Sequence, residues 1–176
     1  MSAQTRYGYS TPIGAAGGIV DLAPYAIDSF LNEEENGILK FGTGVVQGSK
    51  PGINIALPTE DAAAGVFEGV VTNNRTTEYD MDGKLAIRKG ASVGVMRYGR
   101  IYGRVAADVE PEYGDPVYLL IGGEEAGYFT NAAAAGGTDE GDDTPAATIA
   151  IKGRFLGGVD TNAQIAEIDL FNQAQA

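Results

Sequence analysis

The chain of 176 residues contains no cysteine, no histidine and no tryptophan. The absence of cysteine and histidine excludes disulfides, thiol nucleophiles, zinc sites of the Cys/His type and a Ser-His-Asp triad. Carboxylate chemistry and a Ser-Lys arrangement stay open, but the usual general base near neutral pH is missing. The composition therefore favours a protein that is not an enzyme.

Long hydrophobic runs are also absent. No stretch approaches the roughly 18 consecutive apolar residues that a membrane span needs. The N-terminal sequence MSAQTRYGYSTPIGAAGG has no apolar run behind Arg6, so it does not resemble a signal peptide. Because 44% of the residues are hydrophobic, we expect a globular protein that is made in a cytoplasm and has no membrane partner.

Basic residues are missing from one long stretch of the chain. Residues 105–151 contain no lysine or arginine but ten acidic residues, namely Asp108, Glu110, Glu112, Asp115, Glu124, Glu125, Asp139, Glu140, Asp142 and Asp143. All 12 basic residues lie elsewhere, together with the other 14 acidic ones. A surface this acidic repels phosphate backbones, so we expect no nucleic-acid partner.

Four of these acidic residues crowd into five positions around Gly141, at 139–143. A calcium loop of the EF-hand type needs alternating ligands, a glycine at its sixth position and a glutamate at its twelfth. The sequence TDEGDDTP lacks that order, and adjacent side chains of an extended chain point apart. We therefore predict a solvated acidic loop at 131–146, with no metal and no cofactor.

Beyond Gly37 the sequence has the pattern of an all-β protein. Short apolar or alternating runs are separated by glycine, proline, asparagine and aspartate, and glycines inside the runs indicate bulges and curvature. Strands are predicted near Leu39–Gln47, Val66–Thr72, Ser92–Met96, Arg100–Ala106, Val117–Ile121, Thr148–Phe155 and Ile165–Leu170. The predicted fold is a small Gly-rich β-barrel or sandwich with an extended N-terminal arm and little helix.

The arm and a short connecting segment are predicted at residues 1–36, followed by the β-barrel domain at 37–176. Tyr7, Tyr9 and Ile13 lie among small residues that cannot bury them. Such spacing is typical of a segment that becomes ordered on a partner, and a floppy terminus is an equally good explanation. We predict that these three side chains contact a partner.

The connecting segment contains the one predicted helix. Ile27, Phe30 and Leu31 have the i, i+3, i+4 spacing of a helix face. Gly37 would end this helix, and Pro24 limits its length at the other side. The pattern predicts one or two helical turns.

The run RYGRIYGR at 97–104 is the most basic part of the chain. Interleaved arginine and tyrosine occur where single-stranded nucleic acid stacks on aromatic side chains. A strand would simply place Arg100, Tyr102 and Arg104 on one face, opposite Ile101 and Val105. Because arginine pairs well with carboxylates, a basic strand in an acidic chain favours contacts between subunits. The predicted interface residues are Tyr7, Tyr9, Ile13, Arg97, Arg100, Tyr102 and Arg104.

The order of segments resembles the small capsid cement, or decoration, proteins of tailed bacteriophages. The likeness is carried by YGYSTPIGAAGGIVD, KFGTGVVQG, GVFEGVVTNNRT, ASVGVMRYGRIYGRVAADVEPEYGDPVYLL, GYFT, IKGRFLGG and AEIDL, and it spans nearly the whole chain. It implies a β-barrel-like domain with an extended arm and no catalytic residues. It further implies a homotrimer that binds the major capsid protein on the outside of the expanded head.

Two alternatives from other classes stay open. One is a different virion or tail β-module with other neighbours. The other is a carboxylate-dependent hydrolase, for which Glu68, Glu124 and Glu125 would have to converge in a cleft.

Overall fold

The computed structural model describes residues 14–59, 66–73, 86–107, 109–133, 147–157, 160 and 163–171. Within these ranges there are nine strands and no helix, and hence no helix that could cross a membrane. The strands are β1 (Ala26–Asn32), β2 (Gly44–Gln47), β3 (Asn54–Ala56), β4 (Phe67–Val71), β5 (Ser92–Arg104), β6 (Pro116–Leu120), β7 (Phe129–Thr130), β8 (Thr148–Phe155) and β9 (Ile165–Leu170). The all-β prediction is confirmed.

The sheet has the strand order β1-β3-β2-β4-β5-β9-β8-β6-β7. An additional antiparallel pairing between β1 and β5 closes the first five strands of this order into a barrel. The other four strands continue from β5 as a second sheet, in which every pairing is antiparallel. The fold is therefore a five-stranded barrel with a four-stranded extension.

Strand β5 belongs to both parts. Its first half pairs with β1 and β4, and from Gly99 onward it pairs with β9. Gly99 has a φ of 120°, and a Cβ added there would lie 2.7 Å from the Cβ of Tyr25. Only glycine allows this backbone conformation and this close approach. The two strands predicted at 92–96 and 100–106 are thus one strand of 13 residues that bends at a glycine.

Two hydrophobic cores lie on opposite sides of the strands β2, β4 and β5. Successive residues of these strands face different cores because side chains alternate along a strand. The barrel core receives Val45, Val71 and Val95, and the second core receives Val46, Val70 and Met96. This explains why the three strands are almost continuously apolar, as is usual for strands that are buried on both faces.

The second core fills the space between the barrel wall and the second sheet. Phe129 and Phe155 are fully buried in it. A β-bridge from Val105 to Phe129 brings β7 back beside the end of β5. The prediction that Ala166, Ile168 and Leu170 face inward on β9 is confirmed, since all three have no exposed surface.

The prediction of a helix in the connecting segment was wrong. Residues 26–32 form β1, which pairs with β5 from Ala26 to Leu31 and with β3 at Leu31 and Asn32. Phe30 is buried in the barrel core, whereas Ile27 and Leu31 are exposed. The helical spacing of the three apolar residues therefore reflected no buried face, and pairing with β5 decided the local structure.

Candidate functional site

The root of the arm, residues 14–21, lies along the second half of β5 as a short additional strand. Gly17 N–H donates to Tyr102 C=O at 2.7 Å, and Tyr102 N–H donates to Gly18 C=O at 3.0 Å. Val20 N–H donates to Arg100 C=O at 3.0 Å. Because Asn73 N–H also donates to Gly17 C=O at 2.7 Å, the arm root is bonded on two sides.

Small residues make this close docking sterically feasible. A Cβ on Gly17 would lie 2.7 Å from both Asn73 N and Val71 O, and the φ of Gly17 is 76°. Gly42 faces it, since a Cβ on Gly42 would lie 2.9 Å from Gly17 N. The run GAAGG at 14–18 is therefore the sequence of a segment that packs backbone against backbone.

Tyr102 covers the arm root with its ring. A Cβ on Gly14 would overlap that ring, and a Cβ on Gly18 would lie 3.5 Å from it. The Tyr102 hydroxyl donates to Glu167 Oε1 at 3.3 Å. Burial raises the pKa of Tyr102, and the negative charge of Glu167 raises it further. The phenol is therefore a neutral donor that is fixed between β9 and the arm root.

A row of alternating charges crosses the outer face of the second sheet beside the arm root. Arg100 Nη1 lies 2.7 Å from Asp21 Oδ2, and Arg100 Nε lies 3.9 Å from Asp169 Oδ1. Arg154 Nη2 lies 3.3 Å from the other oxygen of Asp169. The hydrogen bond that Arg100 donates to Asp21 and the negative charge of Asp21 raise the pKa of Arg100. Asp21 thus ties the arm root to the sheet through its side chain as well as its backbone.

The other two arginines of the predicted interface also contact their own chain. Arg97 Nη2 lies 3.0 Å from Glu68 Oε2, and Arg97 Nη1 lies 3.3 Å from Asp28 Oδ2. Arg104 Nε donates to Phe41 C=O at 2.9 Å. The four predicted β5 side chains therefore hold their own fold together, and an intermolecular role for them stays a prediction.

The carboxylates required by the hydrolase alternative do not meet in one cleft. Glu124 and Glu125 line a cavity of about 380 Å³, which Glu68 does not line. Glu68 is instead buried beside Arg97. In the described ranges, no three acidic side chains form a group that could hold a metal ion.

Part of the predicted site lies outside the described residues. This applies to Tyr7, Tyr9 and Ile13 of the arm, and to the acidic residues at 139–143. Sequence reasoning did not identify the residues that fix the arm, above all Asp21 and Glu167. Both are acidic residues next to strongly apolar neighbours, but only the pairing of distant strands shows that they face Arg100 and Tyr102.

One comparison with known proteins shows the family of the chain, and another shows its fold. Residues 3–171 match the family model described as "Structural cement protein (E217 gp24/Pam3 gp6)", a phage family. Among the curated proteins, none is significantly similar to the chain in sequence. A chain of the solved structure "The capsid of Myoviridae Phage XM1" has a similar fold, with a TM-score of 0.64 and 18% identity over 97% of this chain and 98% of that one.

Proposed function

The chain belongs to the phage structural cement protein family, and we propose that it binds the outer surface of the mature head and reinforces contacts between capsomers of the major capsid protein. The family supports a structural rather than an enzymatic role. The fold supports the same proposal, because a chain of the XM1 phage capsid structure shares it over nearly its whole length.

The observation that carries the proposal is the fixed arm root. Backbone bonds to Tyr102, Arg100 and Asn73 hold residues 17–20, so the arm, residues 1–13, is joined to the fold at a fixed root. Tyr7, Tyr9 and Ile13 lie in this stretch. A fixed starting point lowers the entropy that the arm loses when it binds, which increases affinity. We propose that these three side chains attach the protein to its neighbours on the head.

The outer face of β5 is the second part of the proposed contact surface. The side chains of Arg100 and Arg154 are each 40% exposed, although both are paired with Asp169. Exposed arginine beside exposed tyrosine, here Tyr113, is a composition that protein interfaces favour. We propose that Arg97, Arg100, Tyr102 and Arg104 orient the arm and form the rim of the contact.

The acidic stretch at 105–151 is proposed to face the solvent. Like charges on this surface would keep many closely spaced copies from associating in unwanted ways. The proposed assembly is a homotrimer, in which weak contacts of each copy add up through multivalency. The protein is proposed to be made in the bacterial host cytoplasm and to end on the capsid exterior.

The test uses undecorated, expanded heads and the purified full-length chain. Wild-type protein is expected to sediment with the heads and to raise their resistance to heat. The variant Tyr7→Ala/Tyr9→Ala should bind about tenfold or more weakly, because two buried aromatic anchors are lost. Lys50→Ala, in the exposed turn before β3, is the matched control and should bind normally.

Two results would contradict the proposal in different ways. Absence of wild-type binding at micromolar concentrations would refute attachment to the head. Equal binding of the double tyrosine variant and the Lys50→Ala control would refute the role of the arm while leaving the attachment itself intact.

A further inference from the structure

Strand β1 has an open edge in the middle of the barrel wall. Leu31 N–H donates to the C=O of Ile53, the residue before β3, at 2.9 Å. This bond shows that the odd-numbered residues of β1 direct their backbone groups away from β5. Pairing with β3 begins only at Leu31. Among the described residues, the backbone N–H and C=O groups of Ile27 and Ser29 therefore have no partner on this side.

Exposed apolar side chains surround this open edge. Ile27 and Leu31 on β1 are 37% and 41% exposed, and Ile53, just before β3, is 50% exposed. Tyr25 precedes β1, and Tyr98 pairs with Ala26; they are 48% and 40% exposed. An unpaired edge with apolar side chains next to it has the chemistry that binds an added strand through main-chain hydrogen bonds.

The negative charge of Asp28, at the centre of the open edge, determines which strand can bind there. Asp28 lies between Ile27 and Ser29, and its carboxylate is 53% exposed although Arg97 lies 3.3 Å away. If the same edge of two copies paired about a twofold axis, the two Asp28 side chains would face each other, which is unfavourable. A strand with a basic residue opposite Asp28 would instead be stabilised.

The arm has the sequence of such a strand. Arg6 is the only basic residue among the first 39 of the chain, and Tyr7 and Tyr9 alternate with small residues next to it. In an antiparallel pairing with Arg6 opposite Asp28, Thr5 lies opposite Ser29 and Tyr7 lies opposite Ile27. Tyr7 and Tyr9 would then share the outer face with Ile27 and Tyr25.

We propose that the open edge of β1 binds the arm of a second copy of this chain, with Arg6 opposite Asp28. The arms would link neighbouring copies as added strands. This inference rests on the proposed role of the arm in attachment. Its test needs no heads, so its failure is distinguishable from a failure of the protein to bind the capsid.

The test is disulfide crosslinking, which is unambiguous in a chain without native cysteine. Full-length Thr5→Cys and Ser29→Cys proteins are mixed in equal amounts and oxidised at a protein concentration of about 1 mM. This concentration is chosen because the effective concentration between neighbouring copies on one particle is of the same order. Both substitutions replace small polar residues. The control replaces Ser29→Cys by Ala150→Cys, at an exposed position of β8 in the second sheet.

The expected result is a disulfide-linked heterodimer whose yield is about tenfold higher than with the Ala150→Cys control, since a disulfide requires Cα atoms within about 7 Å. Adding Arg6→Gln to the Thr5→Cys chain should lower the yield, and Arg6→Lys should restore it. The pairing of charges predicts both effects.

Three results would overturn the proposal. The first is a yield no higher than that of the control. The second is a dominant Ser29→Cys homodimer, which would mean that two β1 edges pair with each other. The third is an internal disulfide that forms in a dilute Thr5→Cys/Ser29→Cys chain, which would mean that the edge binds the arm of its own chain.

Discussion

The barrel core and the second core are built from the same three strands, but they are enclosed differently. A complete ring of strand pairs surrounds the barrel core. The second core has the barrel wall on one side and the second sheet on the other, and the bridge between Val105 and Phe129 joins the ends of that sheet. Because β2, β4 and β5 contribute to both cores, neither core can be removed without exposing the other.

The largest expected effect tests this dependence. Phe129→Ala should destabilise the protein by about 3–5 kcal/mol, because a fully buried aromatic ring is replaced by a cavity. Ile55→Val in the barrel core is the mild control and should cost about 0.5–1.5 kcal/mol. Urea unfolding measures both values. Hydrogen exchange should speed up at Val71 in the barrel as well as at Ile168, and a change confined to Ile168 would show that the cores are independent.

An intermediate effect is expected at the ion pair between β4 and β5. Glu68 is 5% exposed, and its partner Arg97 is held at 3.0 Å. Glu68→Gln should destabilise the protein by about 1–3 kcal/mol, because it weakens a buried partner of a charged group. Asp28→Asn is the matched control, since Asp28 contacts the same arginine from an exposed position and should cost less than about 1 kcal/mol. Equal losses of unfolding free energy for the two variants in urea would contradict the greater contribution of the buried ion pair.

The smallest expected effect is a pH dependence of the stability of the barrel, caused by the carboxylate of Glu33. Glu33 accepts hydrogen bonds from the Ser49 hydroxyl, from Asn54 Nδ2 at 2.6 Å and from Ser49 N–H at 2.7 Å, and these bonds lower its pKa. Its contribution to stability is therefore fully present above its ordinary pKa of 4.5 and is lost as the pH falls through the lowered value.

Glu33→Gln should remove this contribution. Urea unfolding at pH 7 should show the wild type to be slightly more stable than the variant, and the difference should vanish near pH 3. The exposed Glu35→Gln variant is the control, since Glu35 pairs only with Lys89 at the surface. A difference that stays constant between the two pH values would show that Glu33 does not act through its ionised form.

The sequence predicted the second sheet better than the barrel. Strands β8 and β9 have the predicted bounds, because apolar and polar residues alternate along each strand and give it one apolar face. Strands β1, β3 and β7 were not predicted. Two of them have three residues or fewer, and β1 has a pattern that suggested a helix. Their conformation depends on partners that are distant in sequence, which local patterns do not record.

Only part of the candidate site could be predicted from the sequence, because the rest also depends on partners that are distant in sequence. The shared face of Arg100, Tyr102 and Arg104 followed from the period of a strand and is confirmed by the burial of Ile101 between them. That the chain's own residues 14–21 would pair with β5 beside this face could not be predicted, since glycine and alanine carry no periodic signal. The pairing of Asp21 with Arg100 joins residues 79 positions apart.

The direction of the arm root has a mechanical consequence. Its hydrogen bonds to Arg100 and Tyr102 run across the two strands, so a pull along the arm loads them together in shear instead of opening them one after another. The strand that receives this load, β5, is bonded to β1 and β4 in the barrel and to β9 beyond it. Tension on the arm root is therefore passed by β5 to both the barrel and the second sheet.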